Sequence, residues 1–297
     1  MIFGQGTHRY ELVPNWGPLP EGYHFQEIAA VAVDSKDNVY AYHRGSNPVI
    51  VFDEHGTLIN SWGDDVLGEA HGMFISPSDD IYLVDRSNHT IEKCDPDGNS
   101  LQTFGKKGHC SPPFSNKPFN LPQGVAVSTT GDVYVADGKN NNAVHKYSAD
   151  GRHLLSWGSQ GAGPGEFNEP HGIWVAQDGT VIVADRGNNR LQFFGPDGDY
   201  LSECGENVIH HPDHIYIDQT GVIYVTEIEY HRVSILSPTG QLLSRWGGGP
   251  GIQEGRLAGT NRPGYFDSPH GIWGDSKGSL YISEVRGGRR IQKFVRV

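Results

Sequence analysis

One unit recurs six times along this 297-residue chain, and a repeat of that period limits the possible folds more than any local feature. Its clearest copy is PHGIWVAQDGTVIVADRGNNRLQFFGPDGDYLSECG at 170–205. The unit reads as a histidine position, Gly, an apolar strand, a D-G turn, a strand of the V-Y-V-A-D type, a polar loop, a third strand, a second D-G turn and a closing strand. Further copies lie at 70–105 and 122–158, with weaker ones at 29–63 and 212–247. The sixth, at 269–297, stops after its third strand. The missing strand stands at the other end of the chain. YELVPNWG at 10–17 matches the closing strands TLINSWG and HLLSWG in length, alternation and terminal Trp-Gly. A ring zipped shut by its two ends limits the exposed sheet edges that open repeats carry. The expectation is an all-β single domain over 1–297, a six-bladed β-propeller. Its blades fall near 27–63, 69–105, 121–158, 169–205, 211–247, and 268–297 plus 8–17. Gly- and Pro-rich insertions at 106–121, 159–169 and 248–268 join successive blades, and loops of this kind commonly build binding sites.

The copies align when the acid of V-Y-V-A-D is fixed fourteen residues after the histidine position. That position then reads Ala29, His71, Gln123, His171, Asp213 and His270. Histidine occupies every second blade, so three imidazoles point at one axis about 120° apart. Three protein ligands with open positions is the arrangement of catalytic rather than structural zinc. The bland alternative is that P-H-G is a favoured turn and that neutral histidines line a wet channel. The repeat itself accepts Ala, Gln and Asp there, so the turn does not require histidine. Asp213 is positioned to add a carboxylate ligand or an acceptor that orients an imidazole N–H. His214, one residue on, is expected to face away from the axis, because strand side chains alternate.

A second ring follows the acids. It reads Arg44 after His43, Arg86 after Asp85, Gly138 and Lys139 after Asp137, Arg186 after Asp185, Ile228 after Glu227 and Val285 after Glu284. The acids recur in nearly every blade, which suits a structural role, accepting backbone N–H groups of the loop that follows. The basic residues do not recur, and Arg44, Arg86, Lys139 and Arg186 suggest an anion site, since a guanidinium fork fits a carboxylate. Against this, each cation has acids in neighbouring blades with which to pair. Tyr42 and His43 are further candidates for proton transfer, and Gln123 and Asp213 for substrate contact.

Composition excludes some partners. With 23 Lys and Arg against 35 Asp and Glu, the net charge of −12 disfavours nucleic acid and anionic membrane surfaces. No apolar run reaches the length of a membrane span, and the N-terminus shows no signal-peptide pattern. Cys94, Cys110 and Cys204 are odd in number and share no metal-ligand spacing, so a reduced, cytoplasmic chain is the expectation. A secreted chain trimmed of its leader reads the same way. The oligomeric state is not written in the sequence.

The repeats resemble NHL repeats. The series HRG, AHG, PHG, ADRGNNR and PHG, in order through blades one, two, four and six, is similar to peptidyl-α-hydroxyglycine α-amidating lyase. That family is a six-bladed propeller whose three histidines hold a catalytic zinc, and it cleaves N-acyl hemiaminals to an amide and glyoxylate. The resemblance implies that His71, His171 and His270 are zinc ligands and that Arg44 and Arg186 are the active-site arginines. Two positions depart from it. Lys139 in ADGKNN stands at the family's catalytic tyrosine, and Gly271 replaces the aspartate that serves a structural calcium, so the calcium is not carried over. Lys139 can act as a base only if burial or a neighbouring cation brings its pKa down; otherwise it binds a carboxylate.

Three functions follow. The first is a metal-dependent C–N lyase on a small carboxylate-bearing substrate of the 2-hydroxyglycine type. In it the His71, His171 and His270 metal activates the substrate hydroxyl, Arg44 and Arg186 fix the carboxylate with Arg86 beside them, and Lys139, Tyr42 or His43 moves the proton. The second keeps the metal and hydrolyses a lactone, ester or amide with metal-bound hydroxide, Asp213 being a possible base. The third is a non-enzymatic NHL binding scaffold. Imidazole ligands do not name the metal, though zinc is the one the resemblance implies.

Overall fold

The second strand of every repeat is a continuous apolar run, the composition of a strand covered on both faces. These strands, Val39–His43, Ile81–Asp85, Val133–Asp137, Val181–Asp185, Ile223–Glu227 and Leu280–Glu284, are buried along their whole length. Fourth strands such as His153–Trp157 and Tyr200–Cys204 stay exposed or half-exposed. The structure, a computed structural model, describes residues 1–64, 67–248 and 261–297. Of the third expected insertion, residues 249–260 therefore lie outside the described residues. Among the described residues there are six sheets, five of four strands laid down in sequence order and one of five that joins strands from the two ends of the chain. They are the blades of a six-bladed β-propeller.

The chain divides into two compact units, residues 67–214 and residues 1–66 with 215–297. The first holds the sheets that begin at Ala70–Ile75, Gly124–Val127 and Pro170–Val175. The second holds the sheet beginning at Ile28–Val33 and the sheet that joins the chain termini.

In that last sheet His8–Val13 pairs antiparallel with Ile291–Arg296, Tyr10 opposite Arg296 and Val13 opposite Lys293. The N-terminal strand thus completes the sixth blade, as its length and alternation predict. A fifth strand, Ile2–Gln5, was not expected. It folds back over Gly6 and Thr7 so that Gln5 lies opposite His8, and the Gln5 N–H donates to Ser244 Oγ at 2.8 Å. Gly4 interrupts its apolar alternation, which hides it from a period-two reading. The segment after Val13 leaves the sheet. Trp16 there packs against Phe52 and Tyr281, with ring centroids 5.4 and 5.0 Å away, and donates Nε1–H to the Glu54 carbonyl.

The glycine closing each fourth strand has a structural cause. Gly63, Gly105, Gly158, Gly205 and Gly247 take φ between +86° and +101°, where a side chain is strained. At Gly158 a Cβ would also come within 2.6 Å of the Phe167 ring. Phe167 is fully buried at the end of the insertion that leads to the next blade, as Phe119 and Phe266 are in theirs. Gly158→Ala is therefore expected to destabilise the fold by about 1–3 kcal/mol. Urea unfolding followed by tryptophan fluorescence measures this; a midpoint equal to the parent's would show that neither the backbone nor the ring is constrained.

Candidate metal centre

The histidine positions lie at the start of the first strands, and one hydrogen bond repeats among them. His71 Nδ1 donates to the Gln123 carbonyl at 2.9 Å, His171 Nδ1 to the Asp213 carbonyl at 3.2 Å and His270 Nδ1 to the Ala29 carbonyl at 2.5 Å. Each acceptor is the equivalent residue of the next copy of the repeat. A carbonyl oxygen only accepts, so Nδ1 carries the proton and a neutral ring presents Nε2 as a lone pair. All three side chains are buried. Orientation of an imidazole through its second nitrogen is how metal-ligating histidines are normally held. In its own unit His270 is further fixed by Thr226, whose hydroxyl donates to the His270 carbonyl at 2.6 Å.

Within residues 67–214 the rings converge. His71 and His171 have centroids 4.9 Å apart with planes at 54°. Asp213 is fully buried, and its Oδ1 lies 2.7 Å from His171 Nδ1. His214 joins them, its ring centroid 5.3 Å from His171 and 6.3 Å from His71. This corrects the expectation that His214 faces away. Strict alternation is not a rule at this point of the repeat: in the equivalent strands of the second and fourth blades the register shifts between Ala70 and Met73 and between Pro170 and Ile173. Ligand atoms of His171, Asp213 and His214 lie within 4.8 Å of one another. Buried imidazoles with Nε2 presented, beside a carboxylate, form a donor set that fits a divalent transition metal.

The recurring acids bind loop N–H groups, as expected, but mainly those of the loop that enters the blade rather than of the one that follows. Asp85, Asp137, Asp185 and Glu284 accept the N–H of Gly68, Asn120, Asn168 and Asp267 at 2.7, 2.8, 2.8 and 2.6 Å. Each donor lies in the loop entering its own blade, seventeen residues upstream; the loop that follows contributes as well, as Asn88 N–H does to Asp85. In blade one His43 takes the acid's place. Its Nδ1 accepts from Gln26 and Gly45, and its Nε2 donates to the Asn47 carbonyl at 3.0 Å. Burial pushes the His43 pKa down, against the opposing pull of that carbonyl and of Asp64. Both ring nitrogens thus serve the loop. Tyr42, beside it, is buried in the strand Val39–His43, and Gln123 is buried with its Nε2 donating to the Leu121 carbonyl.

The basic ring meets carboxylates, mostly within the same blade rather than between blades. Arg44 pairs with Glu27, and Arg86 Nη1 lies 3.3 Å from Glu69. Glu169 takes Lys139 Nζ at 3.2 Å, across from the preceding blade, and Arg186 Nη1 at 3.7 Å from its own. Burial alone would raise the Glu169 carboxyl, but Arg186 first, then His171 and Lys139, outweigh it and hold it below the usual carboxylate range. The Nε of Arg86 and of Arg186 are buried with no hydrogen-bond partner among the described residues. The pair Lys139 and Arg186 thus already holds one carboxylate two residues from His171. Sequence reasoning missed Glu169. The signal was present: Glu27, Glu69 and Glu169 each stand two residues before the histidine position, in the blades that carry the arginines.

The structure therefore gathers His71, His171, Asp213 and His214 in one unit, with Lys139, Arg186 and Glu169 forming an ion-pair group in it. Tyr42, His43, Arg44 and His270 lie in the other.

Comparison with known proteins agrees with the fold. The NHL repeat family matches residues 119–147 and 167–194. The chain is similar to NHL repeat-containing protein 3 of Homo sapiens, 30% identical over 205 residues, 65% of this chain and 58% of that protein. It is similar to peptidyl-alpha-hydroxyglycine alpha-amidating lyase 1 of Drosophila melanogaster, 34% identical over 103 residues, 35% of this chain and 19% of that one. The match thus spans little more than half of the first of these relatives and a fifth of the second. A solved streptogramin B lyase superposes with a TM-score of 0.68 at 15% identity, covering 96% of this chain and 97% of that one, a likeness of fold.

Proposed function

We propose that this NHL-repeat propeller, a distant relative of the amidating lyases and of NHL repeat-containing protein 3, is a metal-dependent lyase. Its substrate is a small carboxylate-bearing molecule, a hemiaminal of the 2-hydroxyglycine type. The observation that carries the reading is the 4.9 Å approach of the His71 and His171 rings, each with its Nδ1 proton given to a backbone carbonyl. Two buried neutral rings that each keep Nε2 as a lone pair are a donor pair suited to a cation. On the sequence register His270, held by the same bond to Ala29, is the third ligand. A divalent ion supplies Lewis acidity, which lowers the pKa of a hydroxyl bound to it.

The chain's own residues do the rest. Arg186 and Lys139 bind the substrate carboxylate in the place Glu169 occupies, and the planar guanidinium sets its orientation. Arg44, on the resemblance, is the second arginine of that clamp. The backbone carbonyl of Asp213 accepts from His171 Nδ1 and its carboxylate lies 2.7 Å from the same nitrogen, which keeps that ring aimed. His43 is assigned to its loop rather than to proton transfer, because both ring nitrogens are engaged there.

The test is glyoxylate release from an N-acyl-2-hydroxyglycine, before and after dialysis against a chelator. Turnover is expected to vanish on chelation and return with added zinc. Turnover indifferent to chelation would refute the metal's role, and cleavage of lactones or esters in place of the hydroxyglycine would replace the lyase with a hydrolase.

A further inference from the structure

The fifth copy of the repeat reads P-D-H where others read P-H-G, A-H-G or P-Q-G, so His214 stands at a glycine position. That position ordinarily has no room for a side chain. A Cβ on Gly72 would lie 2.6 Å from the Gln123 carbonyl oxygen, one on Gly124 2.4 Å from that of His171, and one on Gly271 2.8 Å from the Val31 nitrogen. A histidine placed where the repeat calls for glycine is not explained by packing of the unit. Its ring lies 5.3 Å from His171 and 6.3 Å from His71, and its side chain is only 12% exposed.

We propose that His214 is a ligand of the metal held by His71 and His171, with Asp213 as the carboxylate that orients both neighbouring rings. This rests on the metal reading above and extends it beyond the three histidines that the register supplies. The geometry carries it in three respects. Ligand atoms of His171, Asp213 and His214 lie within 4.8 Å of one another, close enough to share one ion. The same carboxylate oxygen, Asp213 Oδ1, lies 2.7 Å from His171 Nδ1 and 3.8 Å from His214 Nδ1, so it stands on the Nδ1 side of both rings and leaves Nε2 for the ion. Asp213 and His214 are consecutive residues of one strand, yet both lie beside His171, at 2.7 Å from its Nδ1 and with ring centroids 5.3 Å apart; the equivalent strands of the second and fourth blades shift register at this point of the repeat. The consequence is a centre richer in donors than three imidazoles, with fewer positions open to substrate.

The test compares parent protein with His214→Gly, loaded with cobalt(II), by visible absorption and by chelator competition. Glycine is the residue of the same position in four other copies, so the variant is expected to unfold as the parent does. Its cobalt dissociation constant is expected to rise by at least the 10–100-fold typical of losing an orienting partner, and its d–d bands to change in position and intensity. Affinity and spectrum equal to the parent's would overturn the role given to His214 while leaving the centre itself intact. A parent protein that binds no cobalt or zinc would instead sink the proposed function. Should His214→Gly not fold, His214→Asn is read in the same way: unchanged affinity and spectrum overturn the assignment, and weakened binding with altered bands supports it.

Discussion

His171→Ala is expected to lose its metal on gel filtration and to retain less than about a hundredth of parent turnover. The size of the effect follows from what His171 does. Its ring is the nearest neighbour of both His71 and His214, at 4.9 and 5.3 Å against 6.3 Å between those two, so its removal takes away the donor that each of them approaches most closely. It also strips Asp213 of the Nδ1 group 2.7 Å from its buried carboxylate. Loss of a partner that merely orients a ligand typically costs 10–100-fold in metal affinity, and loss of a ligand costs more. His43→Ala is the contrasting case. It removes a buried ring that accepts from Gln26 and Gly45, so it is expected to lower stability while leaving metal content at the parent level. Metal content by plasma emission, measured on folded protein of both variants, separates the two. Equal metal in His171→Ala and parent would remove His171 from the centre.

The second large effect concerns closure of the terminal sheet. Tyr10→Ala with Trp16→Ala is expected to leave the protein largely unfolded at room temperature. Tyr10 is fully buried, stacks on Trp246 at 5.4 Å and donates a hydroxyl hydrogen bond to Tyr224, which in turn donates to Asp218. Trp16 fills the space between Phe52 and Tyr281. Truncation of a buried aromatic to alanine costs about 3–5 kcal/mol, and two such losses approach the 5–15 kcal/mol that a typical domain has in all. Removing them also frees Ile291–Arg296 as a sheet edge, open to pairing with another chain. Urea unfolding of the single variants and light scattering of the double give the measurement. Single variants within about 1 kcal/mol of the parent would mean that the N-terminal strand adds little to the blade.

The fold was legible because the repeat counts its own strands. Five copies with four strands, a sixth with three and an orphan strand at 10–17 leave one solution, and His8–Val13 beside Ile291–Arg296 is that solution. Ile2–Gln5 was hidden because Gly4 interrupts its apolar pattern and its main partner is the strand it folds back on. The histidine series was legible from register alone, since the fourteen-residue interval to the acid holds in five copies and His43 stands at the acid's position in the first. His214 was not: period-two alternation assigns it to the side opposite Asp213, whereas its ring lies beside those of His171 and His71. The arginines were visible, and pairing with acids of neighbouring blades was weighed, which Lys139 with Glu169 follows; partners of the arginines within their own blades were not anticipated. Each of Arg44, Arg86 and Arg186 meets a glutamate that enters its own blade two residues before the histidine position. Local sequence spacing does not reveal that approach, because the two residues lie at opposite ends of a strand hairpin and meet only when it closes.

Anomalous scattering at the absorption edge of the bound metal, on crystals of protein grown with zinc, goes most directly to the centre of the question. The expected result is one strong peak per chain, about 2.0–2.1 Å from nitrogens of His71 and His171. Rings that keep their hydrogen bonds to Gln123 and Asp213 with no peak between them, in protein saturated with zinc, would contradict it.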